Sequence, residues 1–274
     1  AGEILHHDGS RWSRMSSGTS ESLRGIWGSS DRNVFVVGSA GTALHYDGAD
    51  WTPMVSGTSV TLHDAWGTSP VDVFPVGEGV ILHYAGTTWH TMVSTTRVFF
   101  YDVWGVSGTD VYVASTDGIL HYDGTQWTPV PSGVSAWLFG VWGTAGTDIF
   151  AVGAQGTIRH FDGVTWTIMR SGTTEHLRSV WGLAADDVYA VGDHGTVRHY
   201  DGSAWSAVDW GSIRGVWGSA SSDVITVGWT IRRCDGTQWN YESIFGSSLW
   251  GTANELFLVN GGGVFHHDGA RWTA

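Results

Sequence analysis

An all-β propeller of seven blades, each of four antiparallel strands and closed into a ring by pairing of the N- and C-terminal segments, is the fold the sequence predicts. Two observations carry it. Tryptophan recurs on two interleaved lattices, one in a Trp-Gly motif at Trp27, Trp66, Trp104, Trp142, Trp181, Trp217 and Trp250, the other closing an HYDGxxW-like motif at Trp12, Trp51, Trp89, Trp127, Trp166, Trp205, Trp239 and Trp272. Members of the second lattice stand 39, 38, 38, 39, 39, 34 and 33 residues apart, and a fixed period of about 40 residues marks propellers and solenoids. The segments between tryptophans are short, β-branched or aromatic, with no 3.6-residue periodicity, which excludes helical solenoids. The repeats are numbered 1 to 7 by their Trp-Gly tryptophans.

Repeat 5 shows the elements in order. Leu177 to Trp181 reads as a first strand, Val188 to Val191 as a second, Thr196 to Tyr200 as a third and Trp205 to Val208 as a fourth, each bounded by Gly, Asp or Ser. Between the third and fourth strands, Asp47-Gly48, Asp123-Gly124, Asp162-Gly163, Asp201-Gly202 and Asp235-Gly236 offer a carboxylate to cap the turn and a glycine free to take positive φ. Segments of the VGxxGT type (Gly38 to Thr42, Gly153 to Thr157, Gly192 to Thr196) link the second and third strands. A further turn device precedes the second strand, at Asn33, Asp72, Asp110, Asp148, Asp187, Asp223 and Glu255.

The ends carry one hairpin too many. GEILHHDGSRW at the start and GGGVFHHDGARW at the finish are near copies, whereas the Trp-Gly strands number seven. The N-terminal segment is therefore expected to supply the outer strands of the last blade, so that residues 1–274 form a single domain in which residues 1–19 repeat the hairpin of residues 257–274. The surplus hairpin is a candidate contact for homo-oligomer formation.

Composition narrows the partners. The net charge of −13 arises with no lysine, all 13 basic residues being arginine, so a phosphate-tracking basic surface is missing and nucleic acid is excluded as a partner. No apolar run approaches the ~18 residues that a membrane helix needs, so membrane insertion is not expected. Cys234 is the single cysteine and no intrachain disulfide can form. The compartment is open; a chain beginning at Ala1 without a signal peptide leans towards a secreted or extracytoplasmic setting.

The strings VGDHGTVRHYDGSAW, VGSAGTALHYDGADW and VGAQGTIRHFDGVTW resemble the repeats of photosystem assembly factors of the YCF48 type, and are similar to the Asp-box (BNR) repeats of sialidases and related propellers. Some Trp-rich propellers with comparable repetition are lectins. The resemblance implies a propeller fold and, through the YCF48 likeness, a protein-interaction or assembly scaffold.

Regular residues read as scaffold. Histidine recurs in the third strand at His6, His45, His83, His121, His160, His199 and His266, but neighbouring blades are too far apart for these rings to share a metal at about 2 Å, so neither metal nor cofactor is expected and each ring should bond to a backbone group or a turn aspartate. Variation gathers instead where the first strands begin. Three residues before the Trp-Gly tryptophan stand Arg24, His63, Tyr101, Phe139, Arg178 and Arg214, and two residues earlier come Phe99, Trp137 and His176. These positions should ring the mouth of a central channel, with Phe99, Tyr101, Trp137 and Phe139 on one side and Arg24, Arg178 and Arg214 on the other; Asp193, His194 and Trp229 belong to the same face.

Such a mouth suits a ligand with an apolar face and an anionic or hydroxylated end. The leading expectation is a non-enzymatic, lectin-like module that binds carbohydrate through aromatic stacking and Asp, His and Arg hydrogen bonds. The alternative is a protein-protein interaction scaffold using one unsymmetrical patch. A sialidase-like hydrolase, with Glu21 and Glu175 near Arg24 and Arg178, is the remote third, for want of a paired nucleophile and acid.

Overall fold

The computed structural model of the chain describes residues 2–7, 12–131, 136–209, 213–220, 223–228, 231–234, 239–242, 248–251, 256–260, 266–267 and 272–273. Among them there is no α-helix; three short 3₁₀ turns interrupt an otherwise all-strand chain that folds as a β-propeller. In repeat 5 the strands Leu177–Ala184, Asp187–Gly192, Thr196–Tyr200 and Trp205–Asp209 pair in chain order as one antiparallel sheet. Repeats 1, 4 and 6 form four-stranded sheets in the same order. Repeats 2 and 3 share a six-stranded sheet, because Asp72–Tyr84 runs unbroken through two strand positions and Trp89–Ser107 continues from the outer strand of repeat 2 into the first strand of repeat 3. The remaining four-stranded sheet joins Ser248–Gly251 and Leu256–Asn260 to Glu3–His7 and Trp12–Ser16, so the N-terminal hairpin supplies the outer strands of repeat 7.

The first strand of repeat 5 runs three residues beyond the expected end at Trp181. A register shift between Gly182 and Ala184 lets the strand bulge past the glycine and still reach Asp187. Sequence reading takes that glycine for a strand end, whereas it is a contact point. A Cβ placed on Gly105 would stand 2.7 Å from the Trp66 ring, and one on Gly182 would stand 2.6 Å from Trp142. The Trp-Gly motif is thus a stitch between neighbours: the tryptophan of one repeat lies against the glycine of the next, where no side chain fits.

The second lattice binds neighbours as well. Trp51 Nε1 donates to Met15 Sδ at 3.4 Å while its ring stacks on Tyr46, and Trp205 does the same to Met169 one repeat earlier. Between successive repeats lie apolar layers such as Phe74, Val76 and Ile81 of repeat 2 against Phe100, Val103, Val111 and Val113 of repeat 3, all buried. Each such side chain contributes about 1.5–3 kcal/mol relative to exposure, so the sheets are held face to face chiefly by hydrophobic burial.

The recurrent histidines complete the scaffold. His83 Nε2 donates to Asp72 Oδ1 at 2.7 Å and its ring stacks on Phe74 at 4.4 Å. His121 with Asp110 and Tyr112, His160 with Asp148 and Phe150, and His199 with Asp187 and Tyr189 repeat the arrangement; His45 uses Asn33 and Phe35. The ring nitrogen therefore meets the acid or amide before the second strand. The Asp-Gly aspartates serve their own turns: Asp201 Oδ1 accepts from the N–H groups of Ser203 and Ala204, and these bonds with the Ser203 hydroxyl hold the Asp201 carboxyl down to about 2.

A candidate binding site at the channel mouth

The first strands of repeats 1 to 6 enclose a cavity of ≈ 270 Å³. Arg24, His63, Tyr101, Phe139 and Arg178 line it, one from each of repeats 1 to 5, with the tryptophans Trp66, Trp104, Trp142, Trp181 and Trp217 further along the same strands. The backbone sets this spacing: first strands pack side by side so closely that a Cβ on Gly25 would stand 2.5 Å from Asp64 Cα. Equivalent positions therefore converge on one axis, and a residue three places before each Trp-Gly tryptophan meets its counterpart in the next repeat.

These counterparts form a continuous arc. The His63 and Tyr101 rings are 5.6 Å apart, Tyr101 meets Phe139 edge-on at 5.1 Å, and Phe139 meets His176 edge-on at 5.9 Å. Phe99 stacks beside Tyr101 at 6.5 Å and is 43% exposed; Trp137, before the first strand of repeat 4, is 55% exposed. Arg178 places its guanidinium 4.6 Å from the Phe139 ring centre and forks onto Asp193, with Nε and Nη2 at 3.0 and 2.7 Å from its two carboxylate oxygens. That fork holds the Asp193 carboxyl below its ordinary value. His194 takes a left-handed φ of 51° and bonds Glu175 at 2.7 Å, which raises its pKa, while His176 Nδ1 accepts from the Gln155 N–H at 3.1 Å.

The expected basic side of the mouth is thereby redrawn. Arg178 is engaged by Asp193 and Phe139, so it braces the rim instead of waiting for an anion. Arg24 is exposed beside His63, whose Nε2 has no hydrogen-bond partner and lies 4.0 Å from Glu78 Oε1. Burial and the Arg24 charge both lower the His63 pKa, and burial raises that of Tyr101. The Arg214 side chain and Trp229 lie outside the described residues.

Two residues that sequence reasoning passed over occupy the cavity wall. Asp64 and Asp102 stand two places before Trp66 and Trp104, where repeats 1, 4 and 5 have Gly25, Gly140 and Ser179. Asp102 Oδ2 accepts from the Val141 N–H at 2.8 Å and Asp64 Oδ2 from the Val103 N–H at 3.3 Å, each reaching into the following repeat. Half-buried side by side on the cavity wall, the two carboxyls are coupled: desolvation first, then the neighbouring carboxylate, pushes Asp64 well above its ordinary pKa, and desolvation raises Asp102. A charged outlier in a series of small residues was the available signal.

No group of three His, Cys, Asp or Glu residues among those described is placed to hold a metal. Among the described residues the mouth offers aromatic faces, the exposed guanidinium of Arg24 and a half-buried acid pair, which suits recognition of an apolar group with polar attachments. No described helix is long and apolar enough to cross a membrane.

Solved propellers share this fold. The chain aligns over 88% of its length, and 94% of the other, with a structure described as YCF48 bound to D1 peptide, at 13% identity and a TM-score of 0.68. YCF48 from Cyanidioschyzon merolae gives 16% identity and a TM-score of 0.65 over 88% of this chain and 96% of that one, and the RRP9 WD40 repeats give 11% and 0.74 over 94% and 99%. No protein-family model matches the chain, and no curated protein matches it in sequence. At these identities the likeness is one of fold: an all-β propeller similar in shape to YCF48 and to WD40 propellers.

Proposed function

We propose that this chain is a non-enzymatic protein-interaction module, a single seven-bladed ring that binds one segment of a partner protein across the mouth of its channel. The observation that carries the reading is asymmetry. Exposed Phe99 and Trp137 flank the arc of Tyr101 and Phe139 on repeats 3 and 4, whereas repeats 1, 2, 5 and 6 put Ser22, Thr61, His176 and Ser212 at the position of those two rim aromatics; Phe245 of repeat 7 lies outside the described residues. One lopsided apolar patch with polar neighbours at Arg24, His63 and Asp193 suits a single protein epitope better than several equal sites. The fold likeness to YCF48, a protein seen with a bound peptide, supports the same reading.

The lectin-like expectation draws no such support. Trp27, Trp66, Trp104 and Trp142 are packed on glycines of adjacent repeats, Trp51 and Trp205 bond methionines there, and Asp201 is committed to its own turn. Screening an unbiased array of short peptides against the protein, followed by calorimetry on the best binder, tests the proposal. One site per chain is expected, with affinity falling at least ~10-fold in Phe99→Ala/Trp137→Ala, as for other aromatic anchors. Several equivalent glycan sites per chain, unaffected by that double substitution, would overturn it.

A further inference from the structure

The outer half of the repeat 7 sheet is filled by a hairpin that the chain carries twice. Residues 2–13 read GEILHHDGSRWS and residues 262–273 read GGVFHHDGARWT, identical at seven of twelve positions and apolar in both at the third and fourth. The two also share a register. In the first copy His6 pairs with Ser13 and His7 with Trp12; in the second His266 pairs with Thr273 and His267 with Trp272.

The first copy lies along Leu256–Asn260, with Ile4 opposite Val259, Leu5 opposite Leu258 and His6 opposite Phe257, and it buries Ile4 and Leu5 completely. The second copy follows Leu256–Asn260 directly in the chain. In repeat 3 the second and third strands are joined by a tight turn that pairs Tyr112 with His121, Val113 with Leu120, Ala114 with Ile119 and Ser115 with Gly118. Carried onto repeat 7, that register sets Phe257 opposite His266, Leu258 opposite Phe265, Val259 opposite Val264 and Asn260 opposite Gly263, with no residue to spare. In sequence, Gly263 matches Gly118, which takes a φ of 101°, and Val264 and Phe265 match Ile4 and Leu5, the two apolar residues that the first copy buries.

We infer that the edge of Leu256–Asn260 is a hairpin-binding slot with two interchangeable occupants in one chain, residues 3–16 and residues 263–273. The slot holds one at a time. Placing the second copy closes only a short turn, whereas placing the first brings distant parts of the chain together, and the loop-closure entropy favours the shorter connection. The first copy offsets this with the longer pairing from Glu3 to His7 and from Trp12 to Ser16. The displaced copy stays at hand: His266–His267 lies against Trp12–Ser16. Exchange frees residues 2–16, which lead into the strand that bears Arg24, so the two closures differ in how the channel mouth is tethered. The inference does not depend on what binds at that mouth.

Engineered disulfides in the full chain test it, in a Cys234→Ser background. Phe257→Cys combined with His6→Cys captures the first closure and Phe257→Cys combined with His266→Cys captures the second, since directly opposed residues on antiparallel strands are within bridging range. Both variants are expected to oxidise to intrachain bridges in folded monomers. A bridge that forms only with Cys at position 6, or one that links two chains, would overturn the exchange. Thermal melts of Leu5→Asp, Phe265→Asp and the double variant supply a second measure. Each single change is expected to lower Tm only slightly, because the other hairpin takes the slot, and the double variant to lower it by much more than the sum. A Leu5→Asp chain as unstable as the double variant would sink the idea.

Discussion

Repeats 2 and 3 and repeat 5 share one scaffold and differ at its inner rim. The His83–Asp72 and His199–Asp187 bonds are 2.7 and 2.8 Å, and the histidine rings stand 4.4 and 4.5 Å from Phe74 and Tyr189. Where the first strands face the cavity, however, repeats 2 and 3 carry the coupled acids Asp64 and Asp102, while repeat 5 carries Ser179 and an Arg178 tied to Asp193. Repetition marks what holds the sheets together; departures from it mark where the repeats have been released to do something else.

The largest expected effect tests whether the scaffold is as uniform as those distances indicate. Phe74→Ala and Phe150→Ala each remove a fully buried ring stacked on a histidine, and each should cost about 3–5 kcal/mol in urea unfolding. A gap between them well above the spread for equivalent sites would show that repeats 2 and 4 are held differently.

Asp102→Ala against Ser179→Ala breaks the comparison at the inner rim. Removing the Asp102 carboxylate takes the side-chain acceptor from the Val141 N–H and leaves the Val103 N–H with the longer bond to Asp64 alone, a loss of about 1–3 kcal/mol. Ser179→Ala is expected to stay within ~0.5 kcal/mol. Equal costs would mean that the acids do no more for the inter-repeat contact than a small residue does.

The raised pKa of Asp64 gives that pair a pH signature. Folded Asp64 keeps a proton over a range where the unfolded chain has released it, so its contribution is fully present below the ordinary carboxylate pKa and is lost as the pH rises through the raised folded value. Asp64→Asn, which keeps a donor towards Asp102, should flatten this part of the profile. Urea midpoints across a pH series read the difference, and an unchanged slope in Asp64→Asn would refute the raised Asp64 pKa.

The scaffold was legible in the sequence because its causes repeat. Trp-Gly, the third-strand histidine and the Asp-Gly turn each satisfy the same local requirement many times, so periodicity alone locates them. The inner rim was legible in part: counting back from the tryptophans placed Arg24, His63, Tyr101, Phe139 and Arg178 on one cavity. Partnership between side chains was not. That Arg178 is engaged by Asp193 depends on a rotamer choice fifteen residues away, and the Asp64–Asp102 bond on the distance between two strands about 40 residues apart. Neither leaves a periodic trace. The six-stranded sheet was missed for a related reason: every repeat was expected to hold four separate strands, whereas in repeat 2 the chain turns at Gly79, where φ is 74°, and pairing resumes after a register shift so that Asp72–Tyr84 counts as one strand.

The smallest expected effect on stability separates rim from scaffold most cleanly. Among the described residues Phe99 and Trp137 are the large aromatics left most exposed at the mouth, and about half of each already faces water. Truncating either therefore removes little buried area, and Phe99→Ala and Trp137→Ala should each unfold within ~0.5 kcal/mol of the unsubstituted chain. A fold gains nothing by keeping two such rings in solvent on adjacent repeats, and the same positions in repeats 1 and 2 are filled by Ser22 and Thr61. If the substitutions leave melting unchanged and weaken peptide binding, the aromatics belong to recognition. If they destabilise the chain as much as Asp102→Ala does, the rim is scaffold after all, and the line drawn between repeated and divergent residues has to move outward to include it.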